Sequence, residues 1–503
     1  MDVDGASDQS NGQSRLVATG IEGLDNILCG GLTPDRVYLV EGDPGAGKTT
    51  LALKFLLEGA RRGEPVLYVT LSETKAELTA VARSHGWTLD AVNILELIAS
   101  EESLEQDSQL TMFHTSEVEL SETTRAVLAE VERTRPTRVV FDSLSEMRLL
   151  AQNPLRYRRQ ILALKQFFIG RHCTVLLLDD RTSDVADLQL QSIAHGVIML
   201  QQLAPEYGAE RRRLRVVKLR GVKYRGGFHD FNIERGGLNV FPRLVASEHR
   251  RVYTRDRVES GVPALDALLG GGLDRGTSTL LIGPAGSGKS TVASQYAVAA
   301  AQRGERAAIF SFDESLDTLR ARSTALGMPL QEQMDEGRMI VQQIDPAELS
   351  PGEFTDVVRR AVEPEHGDGA KVVVIDSLNG YLNAMPEERF LIVQLHELLT
   401  YLGQQGVVTI LIMAQHGLVG SSMQTPVDAS YLADGVVMLR YFEAAGHVRK
   451  AISVMKKRSG AHEDTIRELR ITDQGIQLGD PLKQFQGILT GVPSFLVEPG
   501  LLQ

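Results

Sequence analysis

The feature that most limits what this chain can fold into is a glycine-rich octapeptide, Gly42-Asp43-Pro44-Gly45-Ala46-Gly47-Lys48-Thr49, which recurs as Gly283-Pro284-Ala285-Gly286-Ser287-Gly288-Lys289-Ser290. Both copies satisfy Gly-x4-Gly-Lys-Ser/Thr. Glycines at these intervals let the backbone curl until its N–H groups converge on phosphate oxygens, with the positive end of the next helix behind them. Lys48 and Lys289 then reach the β- and γ-phosphates, and the hydroxyls of Thr49 and Ser290 hold Mg²⁺. Thr50 and Thr291 follow directly and complete each candidate phosphate-binding set. Each loop comes after an apolar run, Val37–Val40 or Thr279–Ile282, and before a helix-compatible stretch, Leu51–Ala60 or Val292–Ala301. That is the strand–loop–helix setting the motif requires.

The repetition extends beyond the loops. Val17-Ala18-Thr19-Gly20-Ile21-Glu22-Gly23-Leu24-Asp25 returns as Val258-Glu259-Ser260-Gly261-Val262-Pro263-Ala264-Leu265-Asp266, and Cys29-Gly30-Gly31-Leu32 as Gly270-Gly271-Gly272-Leu273. All of these share an offset of 241 with the phosphate loops. A constant offset means that a whole domain of about 240 residues was duplicated. The 503 residues, 43% of them apolar, are enough for two cores. The boundaries expected are a disordered, polar 1–14, an N-terminal domain over 15–245, a C-terminal domain over 246–485 and a short tail over 486–503. A charged join lies near Phe241–Asp256.

A formal net charge of −12 argues against nucleic acid and anionic membranes as partners, since phosphate backbones attract chains with excess Lys and Arg. Two cysteines, Cys29 and Cys173, and no signal-like or 18-residue apolar segment point to a reduced, cytoplasmic location.

Downstream of each loop the chemistry-bearing positions also come in pairs. Pro65–Leu71 ends at Ser72-Glu73, and Ala307–Phe312 ends at Asp313-Glu314. The ends of strands are where a nucleotide-binding α/β fold keeps its chemistry. Arg138–Ser143 and Lys371–Ser377 are buried-strand patterns closed by Asp142 and Asp376, as in a strand that organises Mg²⁺. Further strands are expected at Thr174–Leu178 and Thr409–Met413, then at Val197–Leu200 and Val436–Leu439. Ala99–Glu122, rich in Glu, Ser and Gln, reads as a surface excursion. The sum is an α/β chain of two tandem P-loop domains, each with a mostly parallel sheet flanked by helices.

Each half ends in a basic element. In Arg215-Val216-Val217-Lys218-Leu219-Arg220 a strand would put Lys218 and Arg220 on one face, and in Ser453-Val454-Met455-Lys456-Lys457-Arg458 the same positions are Lys456 and Arg458. A single copy would suit a sheet edge that resists aggregation. Two copies favour cations directed at a neighbour's triphosphate, as an arginine finger is.

Together these elements resemble the KaiC family, circadian-clock ATPases and autokinases of the RecA superfamily, from Leu16 to about Val497. The resemblance implies ATP with Mg²⁺ at the subunit interfaces of a double-ring homohexamer, with slow hydrolysis in the N-terminal tier and autophosphorylation in the C-terminal tier. The family's catalytic Glu-Glu pair corresponds to Ser72-Glu73 and Asp313-Glu314. Its adjacent Ser-Thr acceptors correspond to Ser430 followed by Tyr431, with Thr425 upstream, so Ser430 is the one matching phosphoacceptor. Its basic–basic–histidine element maps onto Lys456, Arg458 and His462, and in the first half onto Lys218 and Arg220, with Tyr224 in place of the histidine. KaiB-like or response-regulator partners follow from the resemblance, and the short tail after Gly491 argues against KaiA binding. Two other readings are a DNA-dependent RecA-type motor, supported by Arg211-Arg212-Arg213, and a nucleotide-gated assembly scaffold with little turnover, supported by Ser72.

Overall fold

The computed structural model describes residues 16–97, 115–151, 153–180, 188–205, 208–364, 367–383, 391–415, 430–489 and 494–495. The chain divides into two compact units, Met1–Arg243 and Leu244–Gln503. Each unit is built on a nine-stranded sheet.

In the first unit β1 (Val37–Gly42) is central, with β5 (Thr174–Asp180), β4 (Arg138–Asp142), β2 (Val66–Thr70) and β3 (Asn93–Glu96) on one side. On its other side lie β6 (Gly196–Leu203), β7 (Arg211–Leu219), β8 (His229–Glu234) and β9 (Gly237–Phe241). From β3 to β6 all pairings are parallel, and from β6 to β9 they are antiparallel. The inner parallel strands are mainly apolar because helices cover both faces, and β1, β2 and β4 are buried along their whole length, whereas β3 at the edge is exposed at Asn93 and Glu96. Two apolar clusters fill the layers on either side of the sheet.

The second unit repeats the order. Its β12 (Ser278–Gly283) lies between β16 (Val408–Ala414) and β17 (Gly435–Ala444). Beyond β16 come β15 (Val372–Asp376), β13 (Ala307–Ser311) and β14 (Met339–Gln343), and beyond β17 come β18 (His447–Lys457), β19 (Arg467–Thr472) and β20 (Gly475–Pro481). A two-stranded hairpin of β10 (Arg257–Val258) and β11 (Leu273–Asp274) precedes this sheet.

The excursion expected over Ala99–Glu122 is corrected in part: Thr115–Thr134 is a 20-residue helix, and residues 98–114 lie outside those described. Val127 and Val131, four apart, are buried in the core. Both lie beyond Glu122, outside the stretch rich in Glu, Ser and Gln that reads as an excursion.

The segment after Arg243 folds with the second unit. Leu244 and Ala246 join its core, the His249 ring packs edge-on against Tyr401 at 5.3 Å, and the Arg251 amide donates to Gln404 O at 3.2 Å. Tyr253 lies over Gly276 and Gly406, where a Cβ on either glycine would collide with it.

Arg138, at the start of β4, is 1% exposed. Its guanidinium donates to Glu64 Oε2 at 2.5 Å and to the carbonyls of Ala18 and Phe55 at 2.7 and 2.9 Å. Arg138→Ala strands both carbonyls and the carboxylate. It is expected to cost about 3 kcal/mol of N-terminal unit stability, read as a lower denaturant midpoint. Among the described residues no helix is long and apolar enough to cross a membrane.

Candidate nucleotide-binding and phosphoryl-transfer sites

Both phosphate loops sit at the carboxyl end of their central strand, where the strand order reverses and a ligand crevice opens. Gly47 and Gly288 hold φ values of 96° and 106°. This left-handed conformation is what lets the helices Lys48–Arg61 and Lys289–Gln302 start with free N–H groups facing the loop. Lys48 Nζ donates to Gly42 O at 3.0 Å and Asp43 O at 2.9 Å, and Lys289 Nζ to Gly283 O at 2.9 Å and Pro284 O at 2.7 Å. Each ammonium is thus folded back over its own loop, where a triphosphate would replace the carbonyls. Burial lowers the Lys289 pKa to about 8. Ser287 Oγ, where the first loop has Ala46, is buried without a hydrogen-bond partner.

The strand-end aspartates lie beside the hydroxyls that the motif assigns to the metal. Thr49 Oγ1 is 3.5 Å from Asp142 Oδ2, and Ser290 hydrogen-bonds Asp376. Burial raises the pKa of both aspartates, and Tyr68 donates to Asp142 Oδ2 at 2.5 Å. A hydroxyl with an acidic oxygen behind it suits Mg²⁺, which keeps several waters and needs few protein ligands. The residues present therefore fit Mg-ATP in both units.

The two units differ at the next strand. In the first, Ser72 is exposed and Glu73 half-buried. Glu73 Oε2 has no hydrogen-bond partner. Burial, followed by the charges of Asp142, Glu77 and Asp180, raises the Glu73 pKa. In the second unit, Asp313 Oδ2 accepts from Ser377 Oγ. Glu314 is held by both arms of Arg322, Nε to Oε1 at 3.1 Å and Nη2 to Oε2 at 2.8 Å.

The basic elements lie at the opposite end of each sheet from their own phosphate loop. Lys218 pairs with Val197 and Lys456 with Val436, near the amino ends of β6 and β17. Their strand neighbours in the central strands, Leu39 and Leu280, precede Gly42 and Gly283 by three residues, or about 10 Å of strand. Lys218 donates to Gln191 O and Arg220 to Ser192 O at 2.8 Å. Lys456 donates to Ser430 O at 2.9 Å and Ala433 O at 2.7 Å, and Arg458 to Tyr431 O at 3.1 Å and Asp434 Oδ1 at 3.3 Å. Lys457 alternates to the other face, onto Leu269 O and Gly272 O. His462 Nε2 is buried without a partner. Ser430 belongs to this end of the second unit, and Thr425 lies outside the described residues.

Three side chains at these sites escaped the sequence reading. Asp180, paired with Gly42 in register, closes an ion pair of 2.6 Å with Lys48. Its signal was the acidic close of the β5 run, Asp179-Asp180; the second unit has Ala414 in the same place, opposite Gly283. Arg322 lies on the helix after Asp313-Glu314, and His85, 3.5 Å from Thr50 Oγ1, closes the helix after Ser72-Glu73; neither carried a motif. The arginines that suggested DNA have local partners: Arg212 donates to Glu210 at 2.7 Å, and Arg213 donates to Gln201 at 3.0 Å and covers Phe228.

The sequence profile of the KaiC ATPase family matches residues 17–245 and 258–483. The chain is 27% identical over 496 residues to the circadian clock oscillator protein KaiC of Thermostichus vulcanus, covering 97% of this chain and 93% of that protein. It is 27% identical over 512 residues to the protein of the same name from Prochlorococcus marinus, covering 99% of both. The circadian clock protein KaiC3 of Synechocystis is 24% identical over 497 residues, covering 98% of this chain and 97% of its own. With both repeats matched and each carrying its own phosphate loop and strand-end aspartate, the chain belongs to the KaiC ATPase family.

Proposed function

We propose that this protein is a two-tier ATPase whose C-terminal unit phosphorylates Ser430 of an adjoining protomer, in a homohexameric double ring that serves signalling or timing. One observation carries the reading. Ser430, Lys456 and Arg458 gather near the start of β17, whereas the loop that would hold the donor ATP lies past the far end of β12. Asp434 N bonds Ser278 O at the start of β12, and Gly283 is five residues further on, about 17 Å along the strand. Donor and acceptor therefore belong to different protomers. Lys218 and Arg220 are likewise displaced from the first phosphate loop, by about 10 Å of strand, which supports a shared site in the first tier as well.

In the N-terminal unit a water oxygen attacks the γ-phosphorus, the bond to the β,γ-bridging oxygen breaks, ADP leaves with that electron pair, and the water proton passes to Glu73. In the C-terminal unit the Ser430 hydroxyl attacks instead, and its proton passes to Asp313. Thr49 with Asp142, and Ser290 with Asp376, would hold Mg²⁺, which would supply positive charge against that developing on the phosphates. The basic pairs hold the γ-phosphate in line and stabilise the same charge from across the boundary. KaiB-like or response-regulator proteins would read the resulting state.

The test is incubation of purified protein with γ-labelled ATP and Mg²⁺. Label is expected on the peptide containing Ser430 and is lost in Ser430→Ala and Lys289→Ala. Particle mass is expected to rise about sixfold with Mg-ATP, because a ligand held between subunits stabilises the assembled form. Label elsewhere with none on Ser430 would remove the acceptor assignment. Assembly without any released or transferred phosphate would favour the scaffold.

A further inference from the structure

We infer that Arg322 is a positioning residue that withdraws Glu314 from water activation and so directs the C-terminal unit toward transfer rather than hydrolysis. The inference rests on the phosphoryl chemistry proposed for that unit.

The comparison is internal to the chain. Arg322 is on the helix Leu316–Ala325, and its counterpart at the shared offset of 241 is Val81, on the helix Lys75–Ser84. The two helices begin at equivalent residues, so the side chains occupy the same turn. Arg322 spans both oxygens of Glu314, and its remaining arm reaches Thr291 Oγ1 at 3.2 Å. Thr291 directly follows the metal-side hydroxyl of Ser290, so the guanidinium joins the carboxylate to the phosphate-binding helix. Arg322 and Glu314 are 22% and 20% exposed, which makes this a pocket-wall pair rather than a loose surface contact.

A bidentate guanidinium occupies the oxygens that would accept a proton from water, and it stabilises their charge. Proton transfer to Glu314 therefore has to break two charge-assisted hydrogen bonds. Glu73 carries no such restraint: its neighbours are the carboxylates of Asp142, Glu77 and Asp180, and one of its oxygens is buried without a partner. Of the strand-end pair in the second unit, Asp313 then remains as base, and its Oδ2 accepts from Ser377 Oγ. A hydroxyl anchored on the adjoining protomer competes better for that single base than a water with no polarising group of its own.

The experiment measures two products of labelled ATP, free phosphate and phosphoprotein, in a Lys48→Ala background that silences the first unit. Arg322→Val, which installs the first-unit residue, is expected to raise phosphate release about tenfold with the KM for ATP within about twofold, and to move the ratio of products toward water. Arg322→Lys, with a single point charge, should shift the ratio less. Reciprocally, Val81→Arg in a Lys289→Ala background should lower N-terminal hydrolysis about tenfold. The inference is overturned if Arg322→Val leaves both release and ratio unchanged, or if Val81→Arg leaves hydrolysis unchanged in protein that still assembles. Absence of label on Ser430 throughout would defeat the kinase reading alone, because a rise in released phosphate would still support the role of Arg322.

Discussion

Glu73→Gln lowers ATP hydrolysis by the N-terminal unit about 10²- to 10³-fold while leaving nucleotide affinity nearly unchanged, measured in a Lys289→Ala background. The amide keeps the size and polarity of the side chain but cannot take the proton that the attacking water must lose. Affinity survives because the loop amides, Lys48 and Thr49 hold the triphosphate, and Glu73 does not. The pH dependence gives a second readout. Burial and three neighbouring carboxylates raise the Glu73 pKa, so the basic form is lost at a higher pH than for an ordinary glutamate. Hydrolysis is expected to fall as pH drops through an inflection above the usual glutamate range, and that inflection should vanish in the variant. Undiminished hydrolysis in Glu73→Gln would assign the base elsewhere.

Arg458→Ala is expected to reduce phosphorylation of Ser430 by about 10³-fold, the scale of an arginine finger, and so is Asp313→Asn, for the different reason that it removes the base. The informative measurement mixes the two inactive proteins. When the loop and the finger of one site belong to different protomers, an Asp313→Asn subunit supplies Arg458 to a neighbour whose Asp313 is intact. For random mixing of equal amounts in a closed ring, about a quarter of the interfaces regain both groups. A site contained in one protomer regains none. No recovery in mixed particles, with label still present in the wild type, would contradict the separation of about 17 Å between the ends of β12 on which the shared site depends.

The phosphate loops, both strand-end aspartates and the paired basic elements were readable because each is a local pattern tied to a strand or a turn. The strands themselves were found where β-branched runs are buried on two faces: the expected Val37–Val40 became Val37–Gly42, and Thr409–Met413 became Val408–Ala414. What stayed hidden depends on neighbours brought together by topology. Asp180 meets Lys48 only because β5 lies next to β1, an order that no local pattern states. Arg322 stands eight residues past Glu314, beyond a turn and on a helix, so its bidentate grip follows neither helical nor strand spacing. The helix Thr115–Thr134 was missed because its start falls in the polar stretch Ala99–Glu122, whereas Val127 and Val131, which reach the core, come after it.

Residues 246–257 fall between the two stretches that match the family profile, yet Ala246, His249 and Tyr253 are seated in the second unit. A protease nick in this stretch would therefore not merely sever a tether. It would uncover Tyr401 and the glycine seat of Tyr253, and the liberated C-terminal half would carry a wet seam along the helix Leu391–Gln404.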